Sequence, residues 1–178
     1  MRPSVREHWC RVEMYRHAVE LFRRAAPSLD VLEFSGTVWG DLLPWASYTP
    51  VYGVDVCYAP VVAEMYDLVI LDQVLEHVRA PAEAIANARR LLRPGGQLFV
   101  STPFLIRYHP DPIDLWRWTA PGLAQMLKWQ GLRDVEAWSW GNAQCVRANL
   151  HEWAIVPPGG PGENDERFPV TVWAVGTR

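Results

Sequence analysis

The chain has 178 residues, a net charge of −3, and 49% hydrophobic against 21% charged residues, the balance of one globular domain with its own core rather than of a disordered segment. Its Lys and Arg residues are spread along the chain, which argues against a nucleic-acid groove. The charged N-terminus lacks a signal-type apolar region, and no apolar run reaches the ~18 residues of a membrane span. Three separated cysteines, Cys10, Cys57 and Cys145, with no C-x-x-C pair, speak against a disulfide framework or a zinc site and fit reduced thiols in a cytoplasmic protein. Ten tryptophans fill a small core or line a pocket for a flat or cationic ligand.

In chain order, Ser4–Ala26 reads as a helix, with Trp9, Val12, Val19 and Phe22 near helical spacing and Pro27 ending it. Leu29–Phe34 is a buried strand candidate, and Ser35, Gly36 and Gly40 mark a turn after it. Val51–Val56 reads as a second strand. Asp67–Leu71 is apolar on both faces, as a parallel strand requires. Pro81–Leu92 is a helix with Ala84, Ile85, Ala88, Leu91 and Leu92 on its apolar side, and Arg93–Gly96 is a turn. Gln97–Thr102 is a strand. Ala120–Gln130 is a helix, with Pro121 in its first turn and Gly131 past its end. Arg133–Trp138 and Val170–Val175 are the last strands, separated by a Pro/Gly loop at 157–162. Alternating strands and helices imply a mostly parallel sheet covered on both faces, in a single domain with an N-terminal helix over 1–27 and a core over 28–178.

The segment Tyr66–Val78 (YDLVILDQVLEHV), followed by Leu91–Leu98 (LLRPGGQL), resembles the paired motifs of class I S-adenosyl-L-methionine (SAM) methyltransferases of the methyltransferase type 11 kind. His109–Thr119 is similar to a segment of one branch of that family. The resemblance covers about Val31 to Gly131. It implies a Rossmann-like α/β fold with the cofactor beyond the carboxyl ends of the strands, where strand order reverses. The donor is a sulfonium, so methyl transfer needs mainly alignment of a nucleophile, with a base where that nucleophile carries a proton.

Two departures matter. The family's glycine-rich turn reads roughly ExGxGxG, whereas here Glu33-Phe34-Ser35-Gly36-Thr37-Val38-Trp39 puts Ser35, Thr37 and Trp39 at the glycine positions. Trp39 either shifts the turn or walls the pocket. The family's sheet order is 3-2-1-4-5-7-6, but only ten residues separate Val56 from the start of the next strand. A third strand would need a crossing of roughly 14 Å at ~4.8 Å per strand spacing, plus a return along the sheet, which the remaining residues cannot span. The expected sheet has about six strands in the order 2-1-4-5-7-6, with strand three absent and a C-terminal antiparallel strand.

On this resemblance the cofactor is SAM, bound by Glu33, Ser35, Gly36, Thr37, Trp39, Asp55, Asp72, Gln73 and Val74. Asp55 is placed for the ribose hydroxyls, and Glu33 either supports the cofactor's charged end or caps local backbone donors. His109, His77 and Asp114 are the candidates to orient or deprotonate the nucleophile, and His77 could equally anchor its loop. Asp111, Trp116, Arg117 and Trp140 are the substrate-contact candidates. No metal is expected, since the spacing of His109, Asp111 and Asp114 is not that of a ligand set. The partners expected are a small-molecule substrate and a second copy in a homodimer, with no nucleic acid and no membrane. The altered turn leaves two further readings: a protein of this fold serving as a different biosynthetic catalyst, and a non-catalytic subunit.

Overall fold

The computed structural model describes residues 9–52, 56–58, 65–151, 160 and 162–178. Six strands form one sheet: β1 (Asp30–Phe34), β2 (Ser47–Val51), β3 (Tyr66–Asp72), β4 (Leu92–Pro103), β5 (Arg133–Trp140) and β6 (Thr171–Thr177), in the order β2-β1-β3-β4-β6-β5. β2, β1, β3 and β4 run parallel, and β6 is antiparallel to both β4 and β5. Four helices flank the sheet: α1 (Trp9–Phe22), α2 (Pro81–Leu91), α3 (Ala120–Trp129) and α4 (Ala143–His151). This is the α/β class read from the sequence. Among the described residues no strand lies between β2 and β3; residues 53–55 and 59–64, on which the expected absence of strand three falls, lie outside them, and β3 to β6 take the places of the family's strands four to seven.

The period-2 alternation of the strands divides the core. Leu68 and Ile70 of β3 join Val31, Phe99 and Trp173 on the face covered by Met14, Ala18 and Phe22 of α1. Val69 and Leu71 join Leu32, Leu98, Val100 and Val172 on the opposite face, under Ile85 and Ala88 of α2 and Leu123 and Leu127 of α3. Tryptophan serves both ends of the burial scale. Trp39, Trp118, Trp140 and Trp173 are buried, whereas Trp116 and Trp129 are 42% and 71% exposed.

Several element boundaries differ from the sequence reading. The second strand is Ser47–Val51 and not Val51–Val56; it pairs with β1 from Asp30↔Ser47 to Phe34↔Val51. It is the sheet's edge, half exposed, so it carries no apolar run, and an edge also tolerates Pro50, which has no N–H to donate. Arg93–Gly96 is absorbed into β4 as an irregularity: Tyr66 pairs with Leu92 and Leu68 with Gln97. Gly95 supplies the positive φ, at 80°, and Arg93 reaches Asp67 (2.6 Å) and Asp30 (2.8 Å) across three strands. Helix α4 was not anticipated; Asn142 caps it, its Oδ1 accepting the Cys145 N–H at 2.9 Å. For α3, Thr119 Oγ1 accepts the Gly122 N–H at 3.2 Å, and Pro121 sits in the first turn as expected. Among the described residues no helix is long and apolar enough to cross a membrane.

Candidate active site

Strand order reverses between β1 and β3, since β1 continues to β2 on one side and β3 to β4 on the other. Loops leaving the carboxyl ends of these two strands therefore diverge and open a crevice. A cavity of about 410 Å³ lies there, lined by Glu33 of β1 with Ser35, Gly36, Thr37 and Val38 after it, and by Asp72 at the end of β3 with Gln73, Glu76 and His77 after it. His109 and Asp111 close it from the loop after β4, Arg11 from α1, and Tyr52 from the end of β2. A neighbouring hollow of about 620 Å³ shares Ser35, Gln73 and His77 and adds Val56, Val74 and Val78.

Glu33 is the buried corner of the β1 turn, with 1% of its surface exposed. Its Oε2 accepts the Trp39 N–H at 3.2 Å and the Tyr48 hydroxyl. Burial pushes its carboxyl up to about 7; the Tyr48 hydrogen bond opposes this, and the charge of Asp72 adds to it. Its Oε1 lies over Gly36, where an added Cβ would sit 2.1 Å from that oxygen. Gly36 is thus the one position of the rewritten turn that admits only glycine on steric grounds. Ser35 takes φ of 63°, and Gln73 after β3 takes 57°, left-handed conformations unusual for residues with a Cβ. Trp39 does not wall the cavity. It is fully buried in a turn at Val38–Asp41, its ring 4.5 Å from Phe99, and its Nε1–H donates to Asp72 at 3.2 Å. The bulk at the last glycine position has become core.

Asp72 ends β3 and accepts donors from three sides: the Tyr15 hydroxyl (2.7 Å), Trp39 Nε1 and the Ser101 hydroxyl. Gln73 is fixed through Ser101, its N–H bonding the Ser101 carbonyl at 3.0 Å and its Nε2 the Ser101 hydroxyl at 3.0 Å. Burial and the Asp72 charge raise the Tyr15 hydroxyl far above the ordinary phenol range, so it stays a donor. For Arg11 burial works against the cation, but Asp72 and Tyr15 outweigh it and hold the guanidinium charged. Glu76 is completely buried, and burial pushes its carboxyl up to about 8, with Arg11 opposing and Asp72 adding.

The loop after β4 is pinned to the loop after β3. The Leu115 N–H donates to the Glu76 carbonyl at 2.8 Å, Trp116 Nε1 to the Val78 carbonyl at 2.9 Å, and His77 Nδ1 to the Ile113 carbonyl. Within the loop Asp114 binds the Arg117 guanidinium through both oxygens and accepts the His109 N–H at 3.0 Å. Although burial alone would raise the Asp114 carboxyl, Arg117 holds it below the usual carboxylate range. Burial lowers His109, more than Asp114 restores it, so the imidazole is neutral at physiological pH. The His77 and His109 rings meet edge to face at 5.2 Å.

The cavity therefore gathers Glu33, Ser35, Gly36, Thr37, Asp72, Gln73, His77, His109 and Asp111, with Val74 in the adjoining hollow. Asp55 lies outside the described residues. Asp114 and Arg117 pair with each other inside the loop, and neither they nor Trp116 line the cavity. Trp140 lines a separate hollow of about 850 Å³ with Trp138, Trp173 and His17. Sequence reasoning passed over Arg11, Tyr15, Tyr48 and the burial of Glu76. Arg11 and Tyr15 belong to a helix whose only legible signal was apolar spacing, and Tyr48 to the misplaced strand.

The chain matches the methyltransferase-domain family over residues 7–141. A curated relative, the ubiquinone biosynthesis O-methyltransferase of Caulobacter vibrioides, is 35% identical over 65 residues, covering 32% of this chain and 26% of that protein. The chain thus spans about a quarter of the length of this relative. Among solved structures, a SAM-dependent methyltransferase of Thermotoga maritima, described as a possible histamine N-methyltransferase, superposes with a TM-score of 0.57 at 15% identity, covering 97% of this chain and 99% of that one. Phosphoethanolamine N-methyltransferase 2 of Haemonchus contortus, in complex with phosphomonomethylethanolamine and S-adenosylhomocysteine, gives a TM-score of 0.64 at 9% identity over 93% of this chain and 52% of that one. With three quarters of its length inside the family match and the switch-point cavity in place, this chain belongs to the methyltransferase-domain family.

Proposed function

We propose that this protein transfers a methyl group from SAM to a small-molecule acceptor. The observation that carries the reading is the cavity between the β1 and β3 ends, floored by a glycine whose Cβ would strike Glu33. The family match supports methyl transfer over the two other readings, a different biosynthetic catalyst and a non-catalytic subunit.

The residues present fit the cofactor. Gly36 lines the cavity and lets the turn fold closely over the Glu33 carboxyl, which keeps that acid at the cavity's edge. Arg11 offers a guanidinium for the cofactor's carboxylate, and Glu33 an acid for its amino group. When bound, SAM supplies an electrophilic methyl on a positively charged sulfur. The chain's own groups then have three tasks. Ser35, Gly36 and Gln73 hold the ligand at the carboxyl end of the sheet. Asp72 gives the cavity a negative field that suits a sulfonium, and Glu33 adds to it in its ionised form. Neutral His109, at the cavity wall, takes a proton from the acceptor, and His77 beside it is held by Ile113. The acceptor enters past His77, His109 and Asp111, a mouth of a few side chains rather than an extended groove, which favours a small molecule.

The test is calorimetric titration of the folded protein with SAM and with S-adenosylhomocysteine. Heats fitting one site per chain are expected, and no heat at millimolar ligand overturns the reading.

A further inference from the structure

Glu76 is an anomaly in an otherwise well-paired site. It is completely buried, and neither carboxylate oxygen receives a hydrogen bond from another described residue. A buried carboxyl with no donors costs free energy unless something else meets it. What faces it is a pair of imidazoles: ligand atoms of Glu76, His77 and His109 all lie within 4.8 Å of one another, and Glu76 Oε1 is 3.7 Å from His77 Nε2.

We infer that Glu76, His77 and His109 form a binding site for one divalent cation of the zinc, cobalt or manganese type, with open coordination positions facing the cavity. The chemistry of the donors selects the class. Two imidazole nitrogens and one carboxylate oxygen suit borderline first-row ions, and three protein ligands are the number that catalytic sites keep while leaving room for another molecule. The outer contacts are those of a ligand set as well. His77 donates Nδ1–H to the Ile113 carbonyl, which fixes the tautomer and leaves Nε2 as the nitrogen with a lone pair. Asp114 holds the His109 backbone at 3.0 Å and sets its carboxylate 3.9 Å from His109 Nε2. The Leu115–Glu76 backbone bond ties the loop carrying His109 to the strand end carrying the other two ligands. Arg11 and Arg117 are the cations whose charge reaches Glu76, yet neither donates a hydrogen bond to its carboxylate oxygens. With metal–ligand bonds of ~2.1 Å the three atoms close to roughly 3.4 Å apart in a tetrahedral shell, which rotations of the two half-buried imidazoles supply.

The open positions lie where the acceptor enters, so the ion would hold an acceptor through a hydroxyl or carboxylate oxygen; with the ion bound His109 is its ligand and no longer the free base, and the ion would favour the acceptor's ionised form instead. That role rests on the methyltransferase reading; the binding of the ion does not.

The experiment uses tag-free full-length protein dialysed against chelator and titrated with Co²⁺, followed by visible absorption and calorimetry. One equivalent is expected at micromolar or tighter affinity, with ligand-field bands. Glu76→Gln and His109→Ala should each weaken binding at least about tenfold, and His17→Ala, in the separate hollow, should not. Folding of each variant is checked by circular dichroism; should Glu76→Gln not fold, His109→Ala carries the comparison. Binding only at millimolar Co²⁺, or binding indifferent to the variants, overturns the site. Titration with S-adenosylhomocysteine in parallel separates the two ideas. Cobalt binding without nucleoside binding sinks the methyltransferase reading alone, and the reverse sinks the metal site alone.

Discussion

Gly36→Ala is a sharp perturbation of the rewritten turn, because its effect is steric and local. The new Cβ would lie 2.1 Å from Glu33 Oε1 and 3.0 Å from its Cδ. Relief to an ordinary contact requires the carboxyl oxygen to move by about 1.3 Å or more. Glu33 cannot turn outward at no cost, being 1% exposed and bonded to the Trp39 N–H and the Tyr48 hydroxyl. Losing those partners in a buried setting costs about 2 kcal/mol. Urea denaturation should therefore show a drop of that size, and calorimetry a weaker S-adenosylhomocysteine affinity, since the displaced carboxyl shifts the cavity floor. The decisive comparison is the cycle with Glu33→Ala. Once the obstructing carboxyl is gone, Gly36→Ala should cost under about 0.5 kcal/mol, giving a coupling of about 1.5 kcal/mol. An equal cost in both backgrounds, or a Gly36→Ala protein as stable and as tight-binding as the parent, would refute the reasoning.

Other expectations follow from the same geometry. Glu33 keeps its proton up to about pH 7 in the folded chain, against ~4.3 when unfolded. The folded state therefore binds more protons between these values, and its contribution is complete below pH ~4.3 and is lost as pH rises to 7, with a slope of up to about 1.4 kcal/mol per pH unit. Glu33→Gln should flatten that part of a stability-against-pH curve, and an unchanged curve would count against the burial argument. Trp39→Ala removes a fully buried ring packed on Phe99, Tyr15 and Phe22 and should cost about 3–5 kcal/mol in urea denaturation, with Trp39→Phe losing less. Asp114→Ala frees Arg117 and the His109 backbone and should lower stability by about 1–3 kcal/mol. It should also open the 107–118 loop to trypsin, and a loop as resistant as in the parent would show that Asp114 does not hold it.

The legible parts of this chain were those written in periodicity and in contiguous motifs. Asp67–Leu71 announces itself because Leu68 to Leu71 are buried on both faces, so these four positions are under the same apolar demand. Pro81–Leu91 does so because one stripe meets the sheet. Strand β2 was misplaced because an edge strand, half exposed and containing Pro50, has no such demand. The cavity residues that the sequence supplied come from the two strand ends and the loop after β4, all flagged by local motif. Arg11 and Tyr15 were silent, since a polar residue on a surface helix reads the same whether it faces water or a carboxylate.

The sequence by itself determined the strand and helix alternation and the order of the described strands, because these depend on spacing and on how far a chain can reach. Only the tertiary structure decided what the individual groups do. It turned Trp39 from a pocket wall into core, paired Asp114 with Arg117, and buried Glu76 beside His77 and His109 with no donor from another described residue. Those outcomes depend on distances between residues far apart in the chain, and such distances are set only when helix, sheet and loop pack together.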